Sequence, residues 1–496
     1  MRLVRIVVIS IFFALLISCK PETPQGKICG KIEGYANQTI AIYSAEDVYI
    51  NLPYSDPLVV VGTDNEGNFQ SAINVDEVAL IHLFTIDSLN LVATPIVLHK
   101  NDSIYLKTSV FNTSRPSFSG KGWQINDLLF RQRAKLEQEF RDYSMFEWPM
   151  DMYSAYCDSL QRANTNCVDT LVDTKQISPK VIALAKADAR LFIAFKRFEY
   201  LQNHINQTQA TWGYLLPTAE YYHFKQTLFE STADYWFLPS YSQAIGAMLE
   251  DDFQNLPVVL HNPTQAQEKQ FLYKLSIIEH QYSGMQQQVS LVRLASNFPK
   301  FLDEPNAFNL IDKADSLMQM LSQNTALNQF YLNKTKSVSQ IKPGLDAPNI
   351  TLPNSAGQLV SLSSFRGNVV LLVFWGTWCP PCLASMPKYI DIQNHFRDMD
   401  VTFMFVSLEA LTYDIENWRS FIRGEGKIAS QFLHGKPFTG VHVVAKGQFQ
   451  NSQVKPYAIT YAPSYVLIGK DGRIVEPRVH LDHQLIEKIT ALLEIE

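Results

Sequence analysis

Cys379 and Cys382 flank two prolines in the run Trp375-Gly376-Thr377-Trp378-Cys379-Pro380-Pro381-Cys382. Thiols at this spacing can close into a disulfide and reopen without rebuilding the backbone, which suits two-electron exchange with another disulfide. The thiolate, not the thiol, is the nucleophile. An apolar run, Val369 to Phe374, precedes the pair and an amphipathic stretch, Ala384 to Phe396, follows it, a pattern that predicts a strand running into a helix. Cys379 then stands at a helix N-terminus, where free amides and the helix dipole favour negative charge. It is the expected nucleophile, and Cys382, deeper in, the expected resolving thiol. Two prolines are tolerated in a first turn, whose N–H groups lack intrahelical partners. They also remove two donors to the thiolate and leave the amide of Cys382 as the main one. The Cys379 thiol is therefore expected to be less acidic than the most acidic thiols of such pairs, whose pKa is ~3.5.

The same spacing serves in half of a zinc site or in a structural disulfide. Structural zinc takes four ligands, usually in two pairs. No second Cys-x-x-Cys and no closely spaced histidine pair follows, and His434 and His442 are wrongly spaced for a simple knuckle. No metal and no organic cofactor is expected; the disulfide Cys379–Cys382 is itself the expected redox centre.

The elements that must position this pair lie in residues 341–496, beyond a boundary at Ser337–Gly344. Strand candidates are Leu359–Leu362, Val369–Phe374, Val401–Val406 and Tyr465–Ile468; helix candidates are Ala384–Phe396, Tyr413–Arg423 and Leu485–Leu493. Alternation of continuous apolar strands with helices argues for a buried, partly parallel sheet with helices on its faces. Lys470-Asp471-Gly472-Arg473 carries a hairpin signal between the last two strands.

Asp346-Ala347-Pro348, the strand and the motif from Phe374 to Cys382, Pro387, and Tyr461-Ala462-Pro463-Ser464-Tyr465-Val466-Leu467-Ile468 together resemble the TlpA-like and ResA-like branch of thioredoxin-fold proteins, over residues 341–496. The resemblance implies an α/β thioredoxin fold, a cis peptide before Pro463 beside the dithiol, and an extended substrate docked there as an added strand, with Pro463 and Trp378 on the substrate side. It also implies that Pro463 keeps metals off the cysteines. Pro387, just over one turn beyond Cys382, is expected to kink the first helix. Two departures bear on the chemistry. Ser385 stands where many relatives hold an acid, and the buried acid of cytoplasmic thioredoxins falls at Val373. Glu409, at a strand end, is a possible substitute, although acids in such places are usually just solvated.

The fold class expected is multidomain. Residues 27–118 alternate short apolar runs with turn signals and read as a small antiparallel β-sandwich or barrel. They resemble the small β-domain that precedes thioredoxin domains in exported Gram-negative lipoproteins. Residues 122–340 carry apolar positions at helical spacing, as in Leu184, Ala187, Leu191, Phe195 and Phe198, and read as an all-helical domain. Its aromatics Tyr221, Tyr222, Phe224, Phe229, Tyr235, Trp236 and Phe237 are expected to pack between helices rather than line a groove. Cys157 and Cys167 close a short loop there and could form a structural disulfide. Cys29 is expected to be a small core residue.

The N-terminus sets the compartment. Arg2 and Arg5 flank the start of an apolar run, Ile6–Ile17, that ends at Ser18-Cys19. This is a secretory signal, residues 1–18, too short for a comfortable membrane span. Leu16-Ile17-Ser18-Cys19 resembles a lipobox, which makes Cys19 the lipid anchor and residues 19–26 a tether. The expected location is the cell envelope, facing the periplasm, where disulfides persist. The net charge is -6 without any long basic run, which argues against nucleic acid as a partner. Expected partners are disulfide-containing proteins, an upstream thiol donor and the membrane. Three functions stand: a membrane-tethered thiol–disulfide oxidoreductase, reducing more than oxidising; an envelope binding protein with a regulatory dithiol; and a peroxide-reducing, peroxiredoxin-like enzyme.

Overall fold

A computed structural model describes residues 25–44, 57–75, 78–85, 91–109, 116–172, 179–208, 218–229, 231–254, 263–321, 325–410 and 412–494. They fall into two compact units, one running to Arg131 and the other from Gln132 onward. Signal and lipobox, with Cys19, lie outside the described residues.

The first unit holds eight strands: β1 (Gln25–Glu33), β2 (Thr39–Ser44), β3 (Val59–Gly62), β4 (Asn68–Asn74), β5 (Val78–Thr85), β6 (Leu91–His99), β7 (Ser103–Ser109) and β8 (Ser117–Lys121). They form two four-stranded sheets, β4-β1-β7-β8 and β3-β2-β5-β6. Side chains that alternate along the strands share one core, with Ile28, Ile32, Ile40, Ile42, Phe69, Ile81, Leu83, Ile96, Leu98, Ile104 and Leu106 buried in it. The arrangement departs from a purely antiparallel one, because β1 pairs β7 in parallel from Lys27↔Ser103 to Glu33↔Ser109. Parallel neighbours need a long crossover, and here β2–β6 supply it. Cys29 is not a core residue. The two-residue period sends Ile28 inward and Cys29 to the other face, where it is half-buried with its thiol 3.6 Å from the Ile104 carbonyl.

Helices carry the middle of the chain: α1 (Trp123–Glu139), α2 (Met150–Val172), α3 (Pro179–Thr208), α4 (Lys225–Leu228), α5 (Pro239–Gln254), α6 (Pro263–Gln281), α7 (Gly284–Ala295), α8 (Phe298–Phe301), α9 (Ala307–Leu321) and α10 (Thr325–Ser339). Tyr221, Phe229 and Trp236 are buried, and Tyr221 packs with Phe146, Tyr153 and Tyr200 in one aromatic core. The expected Cys157–Cys167 disulfide is not formed. The two residues stand on the single helix α2, not across a loop; Cys157 is buried and Cys167 exposed. At 1.5 Å rise per residue they are ~15 Å apart along the axis, far beyond the ~7 Å Cα limit for a bridge.

The C-terminal part is an α/β sandwich. Its short hairpin β9 (Thr351–Pro353) and β10 (Leu359–Ser361) precedes β11 (Val369–Trp375), α11 (Pro380–Ala384), α12 (Met386–His395), β12 (Val401–Glu409), α13 (Thr412–Ile422), α14 (Gly426–Leu433), β13 (Val441–Lys446), β14 (Ser464–Ile468), β15 (Ile474–Glu476) and α15 (His483–Leu493). The main sheet has the order β13-β12-β11-β14-β15. β11 runs parallel to β12 and antiparallel to β14. As the central strand it is buried along its whole length, which is why its seven residues are all apolar. β13 and α14 were not expected from the sequence. α14 is only two turns long, and β13 holds His442 within its apolar residues, so neither forms a long or continuous apolar segment. The β14–β15 hairpin does turn through Lys470-Asp471-Gly472-Arg473. Gly472 takes φ +80°, Asp471 Oδ1 accepts the Arg473 amide at 2.9 Å, and the Gly469 amide donates to Arg473 O at 2.9 Å.

Candidate active site

Strand β11 ends at Trp375, and the chain turns through Gly376 and Thr377 into α11. The turn needs a glycine, because the Trp378 indole lies where a Cβ on residue 376 would project. Trp378 donates its indole N–H to Leu408 O at 2.5 Å, meets Phe449 edge-on, and stays 44% exposed. Cys379 is the N-cap of α11, in extended conformation, with Pro380 and Pro381 in the first turn. Its Sγ accepts the amide of Cys382 at 3.2 Å. This is the one amide the sequence left in place, and it reaches the sulfur because an N-cap acceptor faces the third helical N–H. Cys379 and Cys382 are joined in a disulfide with Cα atoms 5.3 Å apart. Cys379 is 3% exposed and Cys382 wholly buried, so any approach to the pair is from the Cys379 side.

The helix breaks where Pro387 requires it. α11 stops at Ala384, Ser385 caps it by donating its amide to Pro381 O and Cys382 O, and α12 restarts with Pro387 in its first turn. Proline cannot donate to the carbonyl four residues back, so the ladder cannot run through.

Opposite the dithiol, Ala462–Pro463 is a cis peptide. The Ala462 carbonyl oxygen sits 3.5 Å from Cys379 Sγ. Cys379, Cys382, Trp378 and Pro463 are thus brought to one place by the C-terminal end of β11, the start of α11 and the loop before β14. Cys157, Cys167 and Cys29 belong to other parts of the fold. Asp346-Ala347-Pro348 runs beside the β14–β15 hairpin, with Ala347 donating to Gly472 O at 3.0 Å.

The acids and hydroxyls around the motif differ from expectation in one respect. Glu409 is not solvated; it is fully buried at the end of β12. Its Oε1 accepts the Thr377 amide at 3.1 Å, the Thr377 hydroxyl at 3.2 Å and the Ser407 hydroxyl at 2.7 Å. Burial is the largest influence and pushes its carboxyl above the ordinary glutamate value, against those hydrogen bonds. The signal for burial was present: Glu409 closes a run from Val401 that is apolar except for Thr402 and Ser407. Val373 is buried between Phe405 and Tyr465 on the neighbouring strands. Ser385 donates to Pro381 O at 2.9 Å, and the buried hydroxyls of Tyr389 and Tyr465 share a 3.0 Å bond. Sequence reasoning missed this tyrosine pair, since residues 76 positions apart meet only through the fold.

His434 and His442 do not assemble a metal site. His442 stacks on Phe405 at 5.0 Å, donates to backbone carbonyls, and is pushed down to about 4 by burial. Among the described residues no group of three or more His, Cys, Asp or Glu side chains is placed to hold a metal ion. No described helix is long and apolar enough to cross a membrane.

Residues 342–491 match the Redoxin family. Thiol-disulfide oxidoreductase ResA of Bacillus subtilis (strain 168) is 29% identical over 137 residues, 27% of this chain and 66% of that protein. ResA of Bacillus cereus (strain ATCC 10987 / NRS 248) is 27% identical over 150 residues, 30% of this chain and 75% of that one. The crystal structure of the thioredoxin domain of a thiol-disulfide oxidoreductase from Bacteroides vulgatus covers 31% of this chain and 99% of its own, at 24% identity and a TM-score of 0.26.

Proposed function

We propose that this chain, whose C-terminal part is a thioredoxin-like oxidoreductase domain of the TlpA/ResA kind, exchanges dithiol for disulfide with proteins through Cys379 and Cys382. The observation that carries the reading is the placement of Cys379: an N-cap sulfur holding the Cys382 amide, at the accessible edge of a buried pair and facing the Ala462 carbonyl. In the reduced protein the amide and the helix end stabilise the Cys379 thiolate. It attacks one sulfur of a substrate disulfide; the S–S bond breaks, and the departing substrate sulfur leaves as a thiolate that takes up a proton. A mixed disulfide remains. Cys382 gives up its proton and attacks Cys379 Sγ, which releases the second substrate thiolate. The substrate has gained two electrons and two protons, and the protein is left as the Cys379–Cys382 disulfide. A thiol donor upstream restores the dithiol, and no further cofactor is required.

Reduction is the favoured direction. Stronger stabilisation of the thiolate would make the dithiol the stable form and the disulfide an oxidant; here two prolines leave one amide for the sulfur. The location proposed is the cell envelope, with Cys19 lipidated, on the basis of Arg2, Arg5, the apolar run and the lipobox-like tetrad.

Insulin reduction with dithiothreitol as electron source tests the reading. The wild type is expected to accelerate precipitation of the insulin B chain. Cys379→Ser should abolish this, and Cys382→Ser should accumulate mixed disulfides on Cys379. A wild type inactive at every redox poise would overturn the proposal. Peroxide consumption in its place would favour the peroxiredoxin-like function.

A further inference from the structure

The loop bearing Pro463 is held from the helical part of the same compact unit. The Tyr461 hydroxyl donates to the carboxylate of Asp303, 2.7 Å from both oxygens. Asp303 lies in the turn between α8 and α9 of the helical region, 158 residues away in sequence. Burial and the neighbouring carboxylate push the Tyr461 hydroxyl up to about 12, so it stays protonated and able to donate at neutral pH. The remaining loop bonds come from within the C-terminal part. The Ser464 hydroxyl donates to Tyr461 O at 2.7 Å, and the buried Arg478 guanidinium donates to Ala458 O at 2.7 Å and Tyr457 O at 3.2 Å. Helix α10 packs on the turn Lys455–Tyr457 at the start of the same loop. The helical region thus grips both ends of the segment whose Ala462 carbonyl faces Cys379.

We propose that Asp303 is a positioning residue of the exchange site: it holds Tyr461 so that Tyr461-Ala462-Pro463 is preset for an extended substrate chain. This assigns the helical region a role in binding protein disulfides and none in the reactivity of the sulfurs. The inference rests on the dithiol-exchange reading above. An extended substrate beside Pro463 relies on backbone bonds to that segment, and a loop ordered beforehand spares the substrate the cost of ordering it. A small disulfide that touches only Cys379 draws on neither.

The full-length protein distinguishes the two. Insulin reduction gives KM and kcat, and the reaction of the reduced protein with 5,5′-dithiobis(2-nitrobenzoate) gives the intrinsic thiol rate. Asp303→Ala and Tyr461→Phe are each expected to raise KM for insulin about threefold to tenfold, with kcat and the small-disulfide rate unchanged. The Asp303→Ala/Tyr461→Phe double variant should be no worse than either single one. Asp303→Asn, which keeps an acceptor, should restore most of the affinity and guards against a folding defect in the alanine variant. Unchanged KM in Asp303→Ala and Tyr461→Phe overturns the inference, and so does an equal loss toward both substrates. A wild type inert toward both disulfides overturns instead the exchange reading beneath it.

Discussion

Truncating Glu409 to alanine strips the acceptor from the Thr377 amide, the Thr377 hydroxyl and the Ser407 hydroxyl. Ser407 and Glu409 are fully buried, so water cannot replace the lost oxygen at no cost. A hydroxyl can rotate toward another acceptor, whereas the amide of Thr377 is fixed by the turn. At about 1–3 kcal/mol per orphaned buried donor, plus the cavity left behind, the loss is expected to be about 2–5 kcal/mol. Glu409→Gln behaves differently, because it keeps an acceptor and removes the charge. The sign follows from linkage. Burial raises the carboxyl above its ordinary 4.5, so between 4.5 and the raised value the folded state binds more protons than the unfolded one. Its contribution to stability is then full below pH 4.5 and falls as pH rises through the folded pKa. Glu409→Gln should flatten that fall and leave the domain more stable than wild type at pH 7. Urea unfolding of the oxidised protein between pH 4 and 8, read by hydrogen-exchange mass spectrometry on peptides covering residues 369–382, isolates the C-terminal part. The reasoning fails if Glu409→Ala unfolds within about 0.5 kcal/mol of wild type, below the lower bound for one orphaned donor. It fails equally if Glu409→Gln keeps the wild-type loss of stability with rising pH.

Pro381→Ala returns an N–H to the second helical position, beside the sulfur that now accepts the Cys382 amide; the Cys379 pKa should fall by about one unit or less, measured from the pH dependence of alkylation of the reduced protein. Tyr389→Phe leaves the buried Tyr465 hydroxyl without its 3.0 Å partner and should cost about 1–2 kcal/mol of unfolding free energy. The Tyr389→Phe/Tyr465→Phe double variant should cost little more than the single one, since both polar groups are then gone, and a denaturation double-mutant cycle reads the coupling.

Local chemistry was legible wherever it depends on neighbours in sequence. Cys379, Pro380, Pro381 and Cys382 fall within one helical turn, so their spacing alone told which sulfur caps the helix and which amide it receives. Pro387 broke the helix for the same reason, and the continuous apolar run of β11 announced a central strand. Cys157 and Cys167 show the limit of the same logic: they are near in sequence, but a continuous helix holds them apart. What the sequence determined by itself is the dithiol and its helix start, because these are set by bonds and periods of a few residues. Only the tertiary structure decided the rest. Burial of Glu409 against Thr377, the meeting of Tyr389 with Tyr465, and the hold of Asp303 on Tyr461 each join groups tens to more than a hundred residues apart. No local pattern encodes such contacts, because packing of one element on another, and the exclusion of water that follows, is what brings them into being.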